Sequence, residues 1–430
     1  MGTDSAGPPR AATPPRAGRR RLLLGGVAGV AAGMMGATWW PEDGWSNPCL
    51  AGLPPDLARH ELLQAAWSGV DASRVWDMHC HIAGTGDGDS GIAVHPDLFS
   101  HAHPLQFAQR LFYMDGACAA APGNSVDTAY VARLRHLLDE FPAGARAVLL
   151  AFERFHDTAG RALPERSTFF VPNEHVRRVA QAHPQRFAWA ASIHPYREDC
   201  AEAVAAAAAR GALLVKWLPA AQGMDPAAPA CDAFYAAMVR ADLPLLVHCG
   251  EERAVHGGGT QDYGNPLRLR RALEHGVRVI VAHCASLGSD RDLDQGGVER
   301  PSFELFARLM QDARHEGQLF GDISAVTQIN RCAQVFPRLL QQSDWHHRLL
   351  NGSDYPLPGI LPLFSLRRLQ GMGLLPDTAL PVLSRLRAHN ALLFDFVLKR
   401  TLAQGGQRFP ASVFETARVL ARPARPEAQT

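Results

Sequence analysis

The chain carries almost no net charge. Its 43 basic and 42 acidic residues leave a formal +1 over 430 residues. So balanced a total gives no electrostatic footprint for nucleic acid, which is not an expected partner. No internal repeat is present, so stacked-repeat architectures are not indicated. No Gly-x-Gly-x-x-Gly follows an apolar run, so the dinucleotide fingerprint of an open, doubly wound sheet is missing. What remains is ordinary for a soluble globular protein, with 47% hydrophobic and 20% charged residues. The length suits one large domain plus appendages.

The basic excess is local. Arg10, Arg16, Arg19, Arg20 and Arg21 crowd the start, where Asp4 is the only acid. Leu22 to Trp40 follows with no charge, rich in Gly and Ala. Arg19-Arg20-Arg21-Leu22-Leu23 resembles the twin-arginine export pattern, and the resemblance implies export of an already folded, cofactor-loaded protein. Ala31 to Thr38 offers small residues but no clean Ala-x-Ala cleavage site. The rival reading is an uncleaved anchor with the arginines inside and Trp39-Trp40 at the far interface. A leader whose apolar part packs on the domain is the third. Residues 1–40 are expected to be a twin-arginine-type signal or a membrane anchor. Membrane or export machinery would be met through residues 19–40, placing the rest of the chain in an exported, extracytoplasmic location.

Eight short apolar runs follow: 75–81, 145–153, 187–195, 211–219, 243–250, 277–284, 318–325 and 348–356. Short continuous apolar runs suit strands buried on both faces of a parallel sheet. Segments with helical periodicity separate most of them, at 127–141, 173–183, 198–210, 231–241, 266–275 and 302–316. Alternation of this kind implies parallel strands with right-handed crossovers, and eight units close a barrel. The expected fold is α/β, a (β/α)8 TIM barrel spanning 74–404. A collar at 41–73 would precede it, and a partly disordered extension at 405–430 would follow. The long stretch Ile82–Ser125 leaves the first strand at the end where such barrels hold their sites, so a lid or pocket wall is expected there. Cys80, Cys249 and Cys284 each follow a strand histidine. They would face the helix layer as small apolar residues if the histidines face inward.

Six residues able to bind a divalent metal sit at or near the ends of five runs: His79, His81, Lys216, His248, His283 and Asp354. His79 and His81 are two apart on a strand, so they point the same way and can share one cation. His248 and His283 end the fifth and sixth runs, and Asp354 closes the eighth in Asn351-Gly352-Ser353-Asp354-Tyr355-Pro356.

This combination resembles the amidohydrolase superfamily, in the branch whose barrel ends in Gly-Ser-Asp-x-Pro. The resemblance extends over about residues 74–400 and includes Asn390-Ala391-Leu392-Leu393-Phe394, similar to the family's closing helix. It implies a distorted barrel with His79 and His81 as ligands of the more buried metal. Asp354 would be a further ligand and the proton shuttle. His248 and His283 would be the remaining ligands or substrate-polarising groups. In two-metal members a lysine at the place of Lys216 is carboxylated and bridges the ions. Carboxylation turns a repelling cation into a binding anion. The implied cofactor is a divalent metal, most often zinc, one or two per chain. An unmodified Lys216 pairing with a carboxylate or an anionic substrate is the competing reading.

His194, Glu251, Arg253 and Asp322 are further candidates for the substrate site, with Glu252 and His256 on the same loop as Glu251; His194 reads equally as packing, and Asp322 also as a residue behind the metal ligands. His95, His101 and His103 read as lid or surface residues. The expected activity is metal-dependent hydrolysis of an amide, lactone, ester or related bond of a small molecule. A metal-activated hydroxide would attack, and Asp354 and His283 would be the catalytic residues. A one-metal, non-oxidative decarboxylase is the alternative, and a non-catalytic exported binding protein a third. A homo-oligomer is left open.

Overall fold

The computed structural model describes residues 41–119, 123, 125–255, 259–333 and 335–421. The leader at 1–40 and the tail at 422–430 lie outside them. No helix among the described residues is long and apolar enough to cross a membrane.

Eight parallel strands carry the fold: β1 Trp76–His81, β2 Arg146–Leu150, β3 Phe187–Ala190, β4 Val215–Trp217, β5 Leu245–His248, β6 Val279–Ala282, β7 Leu319–Asp322 and β8 Leu349–Leu350. Ladders join β1–β2–β3 and β4–β5–β6–β7–β8 in chain order. Two seams complete the ring. Ala191 bridges Val215, and Lys216 N–H donates to the Ala191 carbonyl at 2.7 Å. Cys80 bridges Tyr355, with Asp354 N–H donating to the His79 carbonyl at 2.7 Å. This is the TIM barrel expected from the alternation. It is distorted at both seams, where single bridges stand in for ladders.

Strand alternation sorts the side chains into two layers. Val148, Leu150, Ala190, Leu214, Leu246, Ile280, Phe320 and Leu350 fill the interior. Ala147, Leu149, Trp217, Leu245, Val247, Val281 and Leu319 pack outward against the helices. Cys80, Cys249 and Cys284 belong to this outer core, as small apolar residues, and their thiols are free. Val419 and Leu420 join the interior cluster, so part of the segment after residue 405 stops one end of the barrel.

The strands are shorter than the apolar runs. The run expected over 348–356 keeps only Leu349–Leu350 as strand, and Asn351–Asp354 is irregular. The collar carries two short helices, Pro55–Ala58 and Glu61–Trp67. His60 starts the second, its Nδ1 accepting from Leu62 N–H at 3.2 Å. Trp67 then stacks on Phe396 with ring centroids 4.2 Å apart.

The long first loop is organised around Asp127, whose carboxylate accepts from Thr85 N–H, Gly86 N–H, Gly88 N–H and the Ser90 hydroxyl. It contains the helix Pro104–Gly116. Gln109 and Tyr113 of that helix both donate to the Ala254 carbonyl, on the loop after β5. A disulfide joins Cys49 of the collar to Cys118, 69 residues on, at the end of that helix. Replacing both cysteines by serine is expected to cost roughly 2–4 kcal/mol in stability. Denaturant unfolding with and without reductant checks this, and the variant should lose the reductant sensitivity of the wild type.

Candidate metal centre

Three of the site residues follow from alternation alone. Lys216, His248 and Asp322 each lie two positions beyond an interior residue, Leu214, Leu246 and Phe320. They therefore continue the interior rows to the C-terminal mouth, where barrel enzymes place their chemistry. The others arrive by departures from regularity. The β1–β2 register shifts between Asp77 and Cys80. Met78 fills the interior, and beyond that irregularity His79 and His81 also turn inward. His283 follows the inward Ala282, so alternation would send it outward. His283, Cys284 and Ala285 instead adopt left-handed φ of 55°, 51° and 50°, and the turn brings the imidazole into the mouth. Asp354 has φ 57°. Strained backbone of this kind costs of order 1–3 kcal/mol per residue and persists where surrounding structure enforces it. Gly352 allows the close approach of this segment to β1, since a Cβ there would stand 2.5 Å from His79 Cβ.

His79, His283 and Asp354 offer ligand atoms that all lie within 4.8 Å of one another, and all three are buried. His79 Nε2 is 3.4 Å from Asp354 Oδ1, 3.3 Å from His81 Nε2 and 3.1 Å from Lys216 Nζ. His81 Nε2 is 3.2 Å from Asp354 Oδ1, and His283 Nε2 is 3.7 Å from Asp354 Oδ2. The sequence candidates His79, His81, Lys216, His283 and Asp354 thus share one cup. His248 is adjacent, its ring 5.2 Å from that of His283. Its Nε2 lies 3.3 Å from Glu252 Oε2 but makes no aligned hydrogen bond.

The outer nitrogens fix the tautomers. His79 Nδ1 faces Asp322 Oδ2 at 2.7 Å, and His283 Nδ1 faces the Ser324 carbonyl at 3.1 Å. Both partners only accept, so each Nδ1 carries the proton and each Nε2 presents a lone pair to the cup. Two imidazole lone pairs and a carboxylate converging there would repel one another, and a divalent cation satisfies all three. The donor set fits such an ion. Ser324 ties the two histidines together, its hydroxyl donating to Asp322 at 2.5 Å and lying 2.8 Å from His283 Nδ1.

Burial dominates the electrostatics of the cup. It lowers His79 to about 4, with the Lys216 charge acting in the same sense, and pushes Lys216 down to about 8. Burial opposes ionisation of Asp354, but the neighbouring His79 and His283 and the hydrogen bond from His81 outweigh it. The carboxyl is held well below its usual range. Burial thus favours neutral His79 and His283, and their surroundings favour an ionised Asp354, the states in which these groups ligate.

The softer candidates fall elsewhere. Asp322 is fully buried and engaged with His79 and Ser324, so it orients a ligand and has no surface for substrate. His194 is also fully buried. Its Nδ1 accepts from Tyr196 N–H, its Nε2 faces the Gln222 carbonyl, and it stacks on His156, so it is packing within the wall. Glu251 and Arg253 pair with each other at the surface of the loop. Their neighbour Glu252 turns in to His248 and caps Val255 N–H at 2.9 Å. His256 lies outside the described residues. His95 and His103 pair with Asp97 on the first loop. Sequence reasoning missed Ser324 and Arg331. The first was readable from its place two residues after Asp322; the second, in an irregular turn, left no signal.

Changing Asp322 to asparagine is expected to weaken metal affinity by roughly ten- to a hundredfold, since the amide no longer fixes the His79 tautomer. Chelator competition measures it, and unaltered affinity would deny Asp322 that role.

The sequence model of the amidohydrolase family matches residues 76–359. The chain belongs to this family, whose members are enzymes. Among solved structures it is similar to an uncharacterized TIM-barrel protein from Bordetella bronchiseptica, at 15% identity and TM-score 0.44, covering 72% of this chain and 98% of that one. It is similar to Metarhizium anisopliae IDCase, at 14% identity and TM-score 0.41, over 83% and 98% of the two chains. It is also similar to 5-carboxyvanillate decarboxylase from Novosphingobium aromaticivorans, solved with manganese and 4-hydroxy-3-methoxy-5-nitrobenzoic acid. The identity there is 14% and the TM-score 0.39, over 75% and 95%. No curated protein matches the chain.

Proposed function

We propose that this chain is a metal-dependent hydrolase acting on an amide, lactone, ester or related bond of a small molecule. The observation that carries the reading is the convergence of the His79 and His283 lone pairs with the Asp354 carboxylate, each imidazole already anchored on its far side. These three would hold the ion, with His81, His248 and Lys216 around it. A divalent ion held there, zinc by its taste for imidazole and carboxylate, would supply Lewis-acid activation of water and of a carbonyl. Asp354, ionised and within reach of His81 and His283, accepts the proton of the attacking water and passes it to the leaving group. With its proton held on Nδ1 by the Ser324 carbonyl, His283 presents a lone pair, which suits it to hold the ion and not to steady the developing oxyanion. The Lys216 amine, 3.1 Å from His79 Nε2, is placed so that a carbamate on it would reach the same cup.

A one-metal decarboxylase is the second reading. The favouring observation is that the tight cluster contains three ligands, a set for one ion, with Lys216 free to act as a cation. Metal equivalents per chain, with intact mass before and after acid, separate the two. Two equivalents and an acid-labile adduct of the mass of carbon dioxide support the bridged hydrolase. One equivalent without adduct removes the bridge and moves the reading to decarboxylation.

An exported location accords with the Cys49–Cys118 disulfide, since such bonds persist in oxidising compartments. Secretion of a reporter fused after residue 40, abolished when Arg19, Arg20 and Arg21 become lysine, tests the twin-arginine reading.

A further inference from the structure

Among the described residues, the buried arginines have charged or carbonyl partners, with one exception. Arg387, 1% exposed, donates to the carbonyls of Pro358 and Ile360 and lies over the rings of Phe364 and Phe394. Arg348 donates to the Met310 carbonyl at 2.6 Å and has Glu316 3.5 Å away. Arg331, 8% exposed, donates from Nη1 to a neutral hydroxyl, that of Ser286, at 3.1 Å. Its Nε has no hydrogen-bond partner. No carboxylate among the described residues lies within ion-pair distance of it. Two residues of the same turn repeat the pattern, for the Thr327 hydroxyl and the Gln328 amide nitrogen are buried without partners. Removing a cation from water with one neutral partner is costly, and such groups are kept where an anion completes them.

The turn stands at the mouth. It follows β7, and Ser286 directly follows the left-handed turn that presents His283. Asp354 and Glu252 act on the Arg331 charge, which in turn disfavours protonation of His248 and His283. With Nη1 committed to Ser286, the Nε–Nη2 edge remains. That edge is the fork that meets a carboxylate through two parallel hydrogen bonds.

We propose that Arg331, supported by Thr327 and Gln328, is a specificity-determining subsite for a carboxylate group on the substrate, separate from the groups that hold the metal. It rests on reading the barrel mouth as the reaction site. A substrate lacking the anion leaves the guanidinium unpaired in a dry site, so discrimination against neutral analogues is strong.

The test uses the full metal-loaded chain, with benzoate as probe and benzamide as its neutral counterpart, by titration calorimetry. The wild type is expected to bind benzoate at least tenfold more tightly than benzamide. Arg331→Met abolishes the preference with metal content unchanged, and Arg331→Lys retains part of it. Without benzoate, R331M melts no lower than the wild type, because it removes a buried cation that has no direct ion pair in the free protein. Repeating the titration after chelation separates this subsite from the metal. A benzoate preference that survives metal removal and vanishes in R331M belongs to Arg331, whatever becomes of the hydrolase reading. Absence of any preference in the wild type overturns the proposal. So does an intact preference in R331M, or a drop of several degrees in its melting temperature.

Discussion

Asparagine in place of Asp354 is expected to lower kcat by roughly 10²- to 10⁴-fold, the range lost when a positioned proton-transfer group is removed. The fold should survive. Asparagine keeps the size of the side chain and is among the few residues at ease with left-handed φ, here 57°. What disappears is the anion between His81, His79 and His283. An amide neither accepts a proton nor balances a dication, so metal affinity falls with turnover. Steady-state kinetics with saturating metal separates the effects. A kcat within threefold of the wild type under those conditions would take Asp354 out of the chemistry.

Lys399→Met is expected to destabilise the protein by about 3–5 kcal/mol, the cost of leaving one half of a buried ion pair. Lys399 is fully buried on the helix Ala391–Thr401. It donates to Asp395 at 2.6 Å and to the Gly352 carbonyl at 2.7 Å. Burial already raises the Asp395 carboxyl from its ordinary 3.8 to about 7 despite the Lys399 charge. The folded state therefore favours the protonated acid. Its contribution to stability is fully present below the unfolded value and is lost as pH rises through about 7. Without the ammonium that upper limit moves higher, so the variant should lose more at pH 8 than at pH 5. Urea titrations at the two pH values measure this, and equal losses would contradict the pairing. The same substitution frees the Gly352 carbonyl, two residues before Asp354, so turnover should fall as well.

Much of this architecture was legible because apolar strands and alternating polar ends are local signals. Lys216 and His248 could be placed at the mouth from the residues two positions earlier, and the thiols after His79, His248 and His283 could be assigned to the outer layer. The collar–loop disulfide was not readable, since Cys49 and Cys118 are brought together only by the path of the first loop. The sequence left Asp322 and His194 open between alternative roles for a related reason. Asp322 ends a strand and His194 follows one shortly, as site residues do, while neighbouring elements engage their polar atoms. Arg331 was invisible because its meaning lies in what fails to surround it, a property of packing and not of sequence period.

Val419 and Leu420 plug the barrel from below. During synthesis the polypeptide emerges with its amino end first, so the central hydrophobic column stays open to water until residue 420 clears the ribosomal tunnel. A stop codon placed shortly before residue 419 should therefore leave that column uncovered and give a product more prone to aggregate.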